Sequence, residues 1–118
     1  MNIYDQAHAL ARSMKETPEY QTYTQLREVA YRDETNKALL DEYKRLQYRM
    51  QTMLASGRAS DVDQGDMTRM QQIGSLLQFN SDASQFLMAE LRFQKMLADV
   101  YKILGEVAGI DLDLLMQG

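Results

Sequence analysis

Glu90 is the residue whose position most demands a chemical explanation. It falls inside a run of apolar side chains, Ala83, Phe86, Phe93, Leu97, Val100, Leu104 and Val107, whose steps alternate between three and four residues. A carboxylate within such a stripe is costly to bury alone, so it needs a basic side chain, a tyrosine hydroxyl or a group from a second subunit. The sharper reading is a catalytic acid with a raised pKa. No second carboxylate lies in the stripe to divide acid and base roles, so a structural ion pair or hydrogen bond is the expected role.

Lys44, Arg45 and Arg49, with Arg58 nearby, form a short basic run beside Tyr43 and Tyr48. Tyrosine stacking plus phosphate contact would suit single-stranded RNA. Asp41 and Glu42 adjoin the run, and Asp41 lies four residues before Arg45, so a solvated, ion-paired helix face explains the same residues more simply. Asp61, Asp63 and Asp66 resemble the front of a calcium loop. Gly65 stands where the third ligand belongs, Asp66 where the glycine belongs, and Gln72 at the closing glutamate position. Acids at a helix start account for them better. His8 is the sole histidine and has no cysteine or HExxH context, so helix packing or surface exposure is expected rather than metal or catalysis. No phosphate-binding glycine loop and no Ser/His/Asp or Cys/His set is present.

The elements that carry these residues read as helices throughout. No sustained alternation and no Asn-Gly or Asp-Gly hairpin turn marks a strand. Ile3, Ala7, Leu10 and Met14 share one helical face. Pro18 stops that helix by disfavouring helical backbone at Thr17, and Thr17-Pro18-Glu19 starts the next with a cap, a first-turn proline and an acid. That second helix sets Tyr20, Tyr23 and Ala30 along one side. Asp33 caps a third helix whose stripe is Leu39, Tyr43, Leu46, Met50 and Met53. Glu28→Arg32, Asp33→Lys37 and Asp41→Arg45 have the spacing of supporting ion pairs. Ser56 to Asp66 is the polar loop and the acidic start of a fourth helix bearing Met67, Met70, Ile73 and Leu77. Asn80-Ser81 breaks the chain again, with Ser81 expected to cap the fifth helix. Gly105 and Gly109 weaken its end, and Ile110 to Met116 reads as a short apolar turn folding back. The expected helices are near 3–15, 18–31, 34–56, 61–79 and 82–108. The fold class is all-α: an elongated antiparallel bundle of about five helices around a long helical hairpin, forming a single domain over 1–118.

Composition agrees with that class and narrows the function. The chain has 118 residues, 45% hydrophobic and 25% charged, enough for one modest core. Net charge is −4, which opposes non-specific attraction to nucleic acid and to anionic membranes. With no cysteine, disulfides, thiolate metal sites and iron–sulfur clusters are excluded. No apolar run approaches the ~20 residues of a membrane span, and the opening residues lack the pattern of a secretory signal, so a cytoplasmic location is expected. The nine methionines fall mostly on helix stripes, where they fill cores or form adaptable contact surfaces.

The opening Asn2-Ile3-Tyr4-Asp5 with Ala7 and Leu10, then Pro18-Glu19-Tyr20, resembles the start of the YlbF/YmcA/YheA-like family of bacterial helical proteins. Gly57, the acidic start of the fourth helix, and Ala89-Glu90 within a long amphipathic final helix extend the resemblance over nearly the whole chain. The resemblance implies a helical protein that self-associates and has no catalytic residue. It also implies a regulatory or adaptor role, which in some members is modulation of an endoribonuclease in messenger RNA maturation, with effects on competence, sporulation and biofilm formation. Some members carry cysteines linked to an iron–sulfur cluster, and this sequence has none of them.

The expected function is therefore non-enzymatic, acting through protein–protein contacts with no cofactor and no membrane. The alternatives are an RNA-binding protein using Lys44, Arg45 and Arg49, or an enzyme using Glu90. Two apolar edges on the fifth helix exceed what one neighbour can cover. They imply a two-fold homodimer with Phe86, Glu90, Phe93, Leu97, Val100 and Leu104 as candidate interface residues. Nucleic acid is not expected as a direct ligand.

Overall fold

A computed structural model describes residues 2–109. It contains, in order, α1 (Ile3–Lys15), α2 (Pro18–Arg32), α3 (Glu34–Ala55), a 3₁₀ turn (Ala59–Asp61), α4 (Gln64–Gln78) and α5 (Ser81–Val107). No strand occurs among the described residues, so the all-α expectation holds. The apolar turn expected at Ile110 to Met116 lies outside them.

The helix boundaries follow from capping chemistry. The Thr17 hydroxyl accepts from the Tyr20 N–H, and the Asp33 carboxylate accepts from the Asn36 N–H. Gly57, at φ +73°, ends α3: its N–H donates to Leu54 and that of Arg58 to Met53, a left-handed closure that a side chain would strain. Two expected starts shift. α4 begins at Gln64 rather than near 61, because the Asp63 carboxylate captures the N–H groups of Gly65 and Asp66 and fixes the cap there. Ser81 does not cap α5. Asn80 does, its side-chain oxygen accepting from Ala83, while the Ser81 hydroxyl accepts from the Gln85 amide. An amide oxygen one residue earlier reaches the first turn without competing with helical backbone at Ser81.

α2 and α5 pack antiparallel and form the most extensive helix–helix contact. Tyr20 and Tyr23 meet Phe93, and Tyr23 and Tyr31 meet Phe86, with ring centroids 5.3–5.9 Å apart. α3 and α4 form the hairpin, also antiparallel: Arg69 pairs with Glu42, and further along Asp66 pairs with Arg49. The core where the pairs meet is Ala30, Leu40, Leu46, Ile73, Leu77, Ala83 and Phe86. Phe86, Leu40, Ile73 and Leu77 are essentially inaccessible, each contributing about 1.5–3 kcal/mol through removal of apolar surface from water.

The particle measures 47 × 37 × 17 Å with a radius of gyration of 16.9 Å. A compact chain of this length would have about 13.5 Å. The elongation arises at one end. α1 buries no residue and makes only slight contact with α2, and α5 continues well past the point where α2 begins.

Candidate functional site

Glu90 lies one turn beyond Phe86 on α5, and Lys44 one turn beyond Leu40 on α3. Packing of both helices on α2 and α4 brings them together across 46 residues of sequence. The Lys44 ammonium donates to the Glu90 carboxylate and also sits 5.2 Å from the centre of the Phe86 ring. Glu90 is buried and Lys44 is half-buried, its stem inside and its head reaching the carboxylate. The partner required by the stripe is thus a basic side chain of the same chain. Around the pair, Tyr31 stands edge-on to Phe86, and the Arg27 guanidinium lies 5.3 Å over the Tyr31 ring. Burial pushes the Tyr31 phenol above its ordinary pKa. The negative charges of Asp41 and Glu90 add to that shift and Arg27 opposes it. Chemically this is a neutralised, aromatic-lined ion pair that ties α3 to α5 through long side chains. Its carboxylate is matched to a lysine rather than to a second acid.

That pairing also removes Lys44 from the basic run. Arg49 meets Asp66 at 3.0 Å and Arg58 meets Asp61 at 3.1 Å. Two arginines of the basic run and two acids of the aspartate cluster, each a candidate ligand site in the sequence, therefore neutralise one another, while Asp63 is engaged as the cap of α4 and Arg45 lies exposed. Among the expected helix pairs, Glu28–Arg32 closes at 3.3 Å, whereas Asp33 turns its carboxylate to the cap of α3. A pair not expected joins α3 to α4: Arg69 donates from Nε and Nη2 to the two oxygens of Glu42 at 2.7 and 3.0 Å. This fork holds the Glu42 carboxyl below its ordinary pKa. His8 lies exposed on α1 in a shallow depression with Asp5 and Arg12. Among the described residues no group of three or more His, Cys, Asp or Glu side chains is placed to hold a metal ion.

An open groove of about 920 Å³ runs between α3, α4 and α5, walled by Tyr43, Met50, Met67, Met70, Leu87 and Leu91, with Glu90 at its floor. The methionines here are half-buried along the groove, and Met70 packs against the core.

The six candidate interface residues divide along α5. Phe86 and Glu90 are covered within the chain by α2 and α3. Phe93, Leu97 and Val100 are half-buried, and Leu104 is 55% exposed. Beyond them Val107 is 90% exposed, and Tyr101 and Ile103 are exposed as well. The uncovered apolar surface has thus moved toward the C-terminal end of α5, with a counterpart on α1, where Ile3 is 70% exposed. The stripe alone could not show this, because its spacing is the same in the covered and uncovered halves. Nor does the spacing of α3 mark Leu40 and Lys44 as a pair of inward positions. The Leu39-Leu40 doublet is the signal that α3 buries more than one edge.

Residues 3–107 match the family described as control of competence regulator ComK, YlbF/YmcA. The chain belongs to this family. Among relatives of the YlbF/YmcA chain, a UPF0342 protein of Symbiobacterium thermophilum is 31% identical over 93% of this chain and 96% of its own length. UPF0342 proteins of Clostridium tetani and Desulfitobacterium hafniense are 32% and 33% identical, over 95% and 90% of this chain and 95% and 84% of theirs. The likeness to the YlbF/YmcA family read from the opening motif and the final helix is therefore a family relationship over nearly the whole length. No helix among the described residues is long and apolar enough to cross a membrane.

Proposed function

We propose that this YlbF/YmcA-family chain is a non-enzymatic regulatory adaptor that works as a homodimer and acts through helix-mediated protein contacts. The observation that carries the reading is the contrast on α5. Its one buried charge, Glu90, is matched by Lys44 inside the chain, while its C-terminal apolar stripe, with that of α1, faces water. Contiguous exposed apolar surface on a small chain marks a protein contact. The family's description as control of a competence regulator supports a regulatory role for those contacts. Modulation of an RNA-processing endoribonuclease, exerted through the protein rather than through the RNA, is the form of that role the family resemblance implies.

The test is affinity capture from the native cell with the wild-type chain and with Leu104→Asp, read by mass spectrometry. The adaptor reading expects the wild type to retain a defined protein set and the variant to lose it. Equal recovery by both, or turnover of a small-molecule substrate that Glu90→Gln abolishes with the fold intact, would contradict it.

A further inference from the structure

The uncovered faces of α1 and of α5 match each other in length and register. The aromatic pairs between α2 and α5 set an antiparallel register in which Tyr20 meets Phe93 and Tyr31 meets Phe86. Continued back through α1 without a bend, that register brings Met14 near Val100, Leu10 near Leu104 and Ala7 near Val107. These are the α1 stripe and the α5 stripe, residue for residue. α1 is 13 residues long, about 20 Å, and the part of α5 beyond Phe93 is of similar length. Within one chain the match is not made. Pro18 holds Thr17 extended at ψ 151°, so α1 turns away from the line of α2, and Leu104, Val107 and Ile3 stay exposed.

We propose that α1 of one copy of this chain docks antiparallel on residues 97–107 of α5 of a second copy, and that the exchange is reciprocal about a two-fold axis. This rests on the homodimer reading above and specifies its geometry. The surface area supports a second copy as the occupant. The chain exposes 8885 Å², against about 6,600 Å² for a compact monomer of 13.6 kDa. An obligate dimer needs about 1,000 Å² from each chain, which is less than half of that excess. A break between two helices that would otherwise lie along one neighbour is the arrangement from which reciprocal exchange arises at low cost.

The absence of cysteine makes the test clean. Leu10→Cys and Leu104→Cys are prepared as separate full-length proteins, mixed, allowed to exchange, and treated with a bismaleimide that spans adjacent helices, whose axes lie about 8–10 Å apart. Reciprocal docking expects a crosslinked two-chain product containing one of each variant, several-fold more abundant than the product from either variant alone. If Leu104→Cys alone crosslinks to itself and the mixture adds nothing, α5 packs on α5, and the exchange is overturned while the dimer stands. The exchange is likewise overturned if light scattering shows a dimer and neither the mixture nor either variant alone crosslinks. If a protein carrying both Leu10→Cys and Leu104→Cys crosslinks only within one chain and light scattering shows a monomer, α1 folds on its own α5, and both the exchange and the dimer are overturned.

Discussion

The two halves of α5 have the same sequence pattern and opposite fates. From Ala83 to Phe93 the stripe is roofed by Tyr20, Tyr23 and Tyr31 of α2, and its carboxylate is neutralised by Lys44 of α3. From Leu97 to Val107 the three- and four-residue steps continue, yet exposure rises until Val107 is almost bare. The difference is where the neighbours end. α2 begins at Pro18, opposite the middle of α5, and the proline diverts α1 from the remaining surface. The inner half builds the fold and the outer half stays exposed. A helix stripe therefore reports that a face is apolar, without saying how much of it the chain itself covers.

Breaking the inner half should have the largest effect on folding. Phe86→Ala removes a fully buried ring that touches two tyrosines, and should destabilise the protein by about 3–5 kcal/mol in urea denaturation. An effect under about 1 kcal/mol would mean that the inner half is not the core. Next is the ion pair. Lys44→Met leaves Glu90 buried without its cation and should cost about 2–3 kcal/mol, below the range for a fully buried pair because Lys44 keeps some solvent. Adding Glu90→Leu to Lys44→Met should restore most of that loss, since an apolar pair needs no neutralisation. A double variant as unstable as the single one would show that Glu90 has another structural partner.

A smaller effect is expected where α3 and α4 are joined by the Arg69–Glu42 fork. Glu42 has a lowered pKa in the fold, so its contribution is present above its unfolded pKa and fades as pH falls through the folded value. Arg69→Gln should therefore weaken the protein modestly at neutral pH and hardly at all in acid. Urea midpoints measured at both ends of that range check the sign, and an equal loss at both pH values would assign the role of Arg69 to packing. The smallest effect on folding belongs to the outer half. Leu104→Asp should change the stability of the folded chain by no more than about 0.5 kcal/mol when unfolding is followed in dilute, dissociated protein. The same substitution should raise the dimer dissociation constant tenfold or more. A large loss of folding stability would place Leu104 in the core instead.

Much of this contrast is legible in the sequence, and the rest depends on long-range packing. Helix positions follow from local chemistry: Thr17-Pro18 and Asp33 start helices where their caps lie, and Gly57 ends one through its positive φ. Misplaced starts fall where two nearby capping residues compete, Asn80 against Ser81 and Asp63 against Asp61, and spacing does not decide between neighbours. That Glu90 needs a partner is legible from its stripe. That the partner is Lys44 is not, because 46 residues separate them and only the packing of α3 and α5 around α2 and α4 joins them. The same contact turns a candidate RNA-binding lysine and a candidate catalytic acid into one structural pair. The α1 stripe is visible, but its exposure depends on the bend at Pro18, which local pattern marks as a boundary without giving a direction.

Light scattering of the full-length chain across a dilution series tests the central claim most directly. The account predicts the mass of two chains at micromolar concentration and above, falling toward 13.6 kDa on dilution and at higher concentrations in Leu104→Asp. A mass of 13.6 kDa that persists at high protein concentration would contradict it.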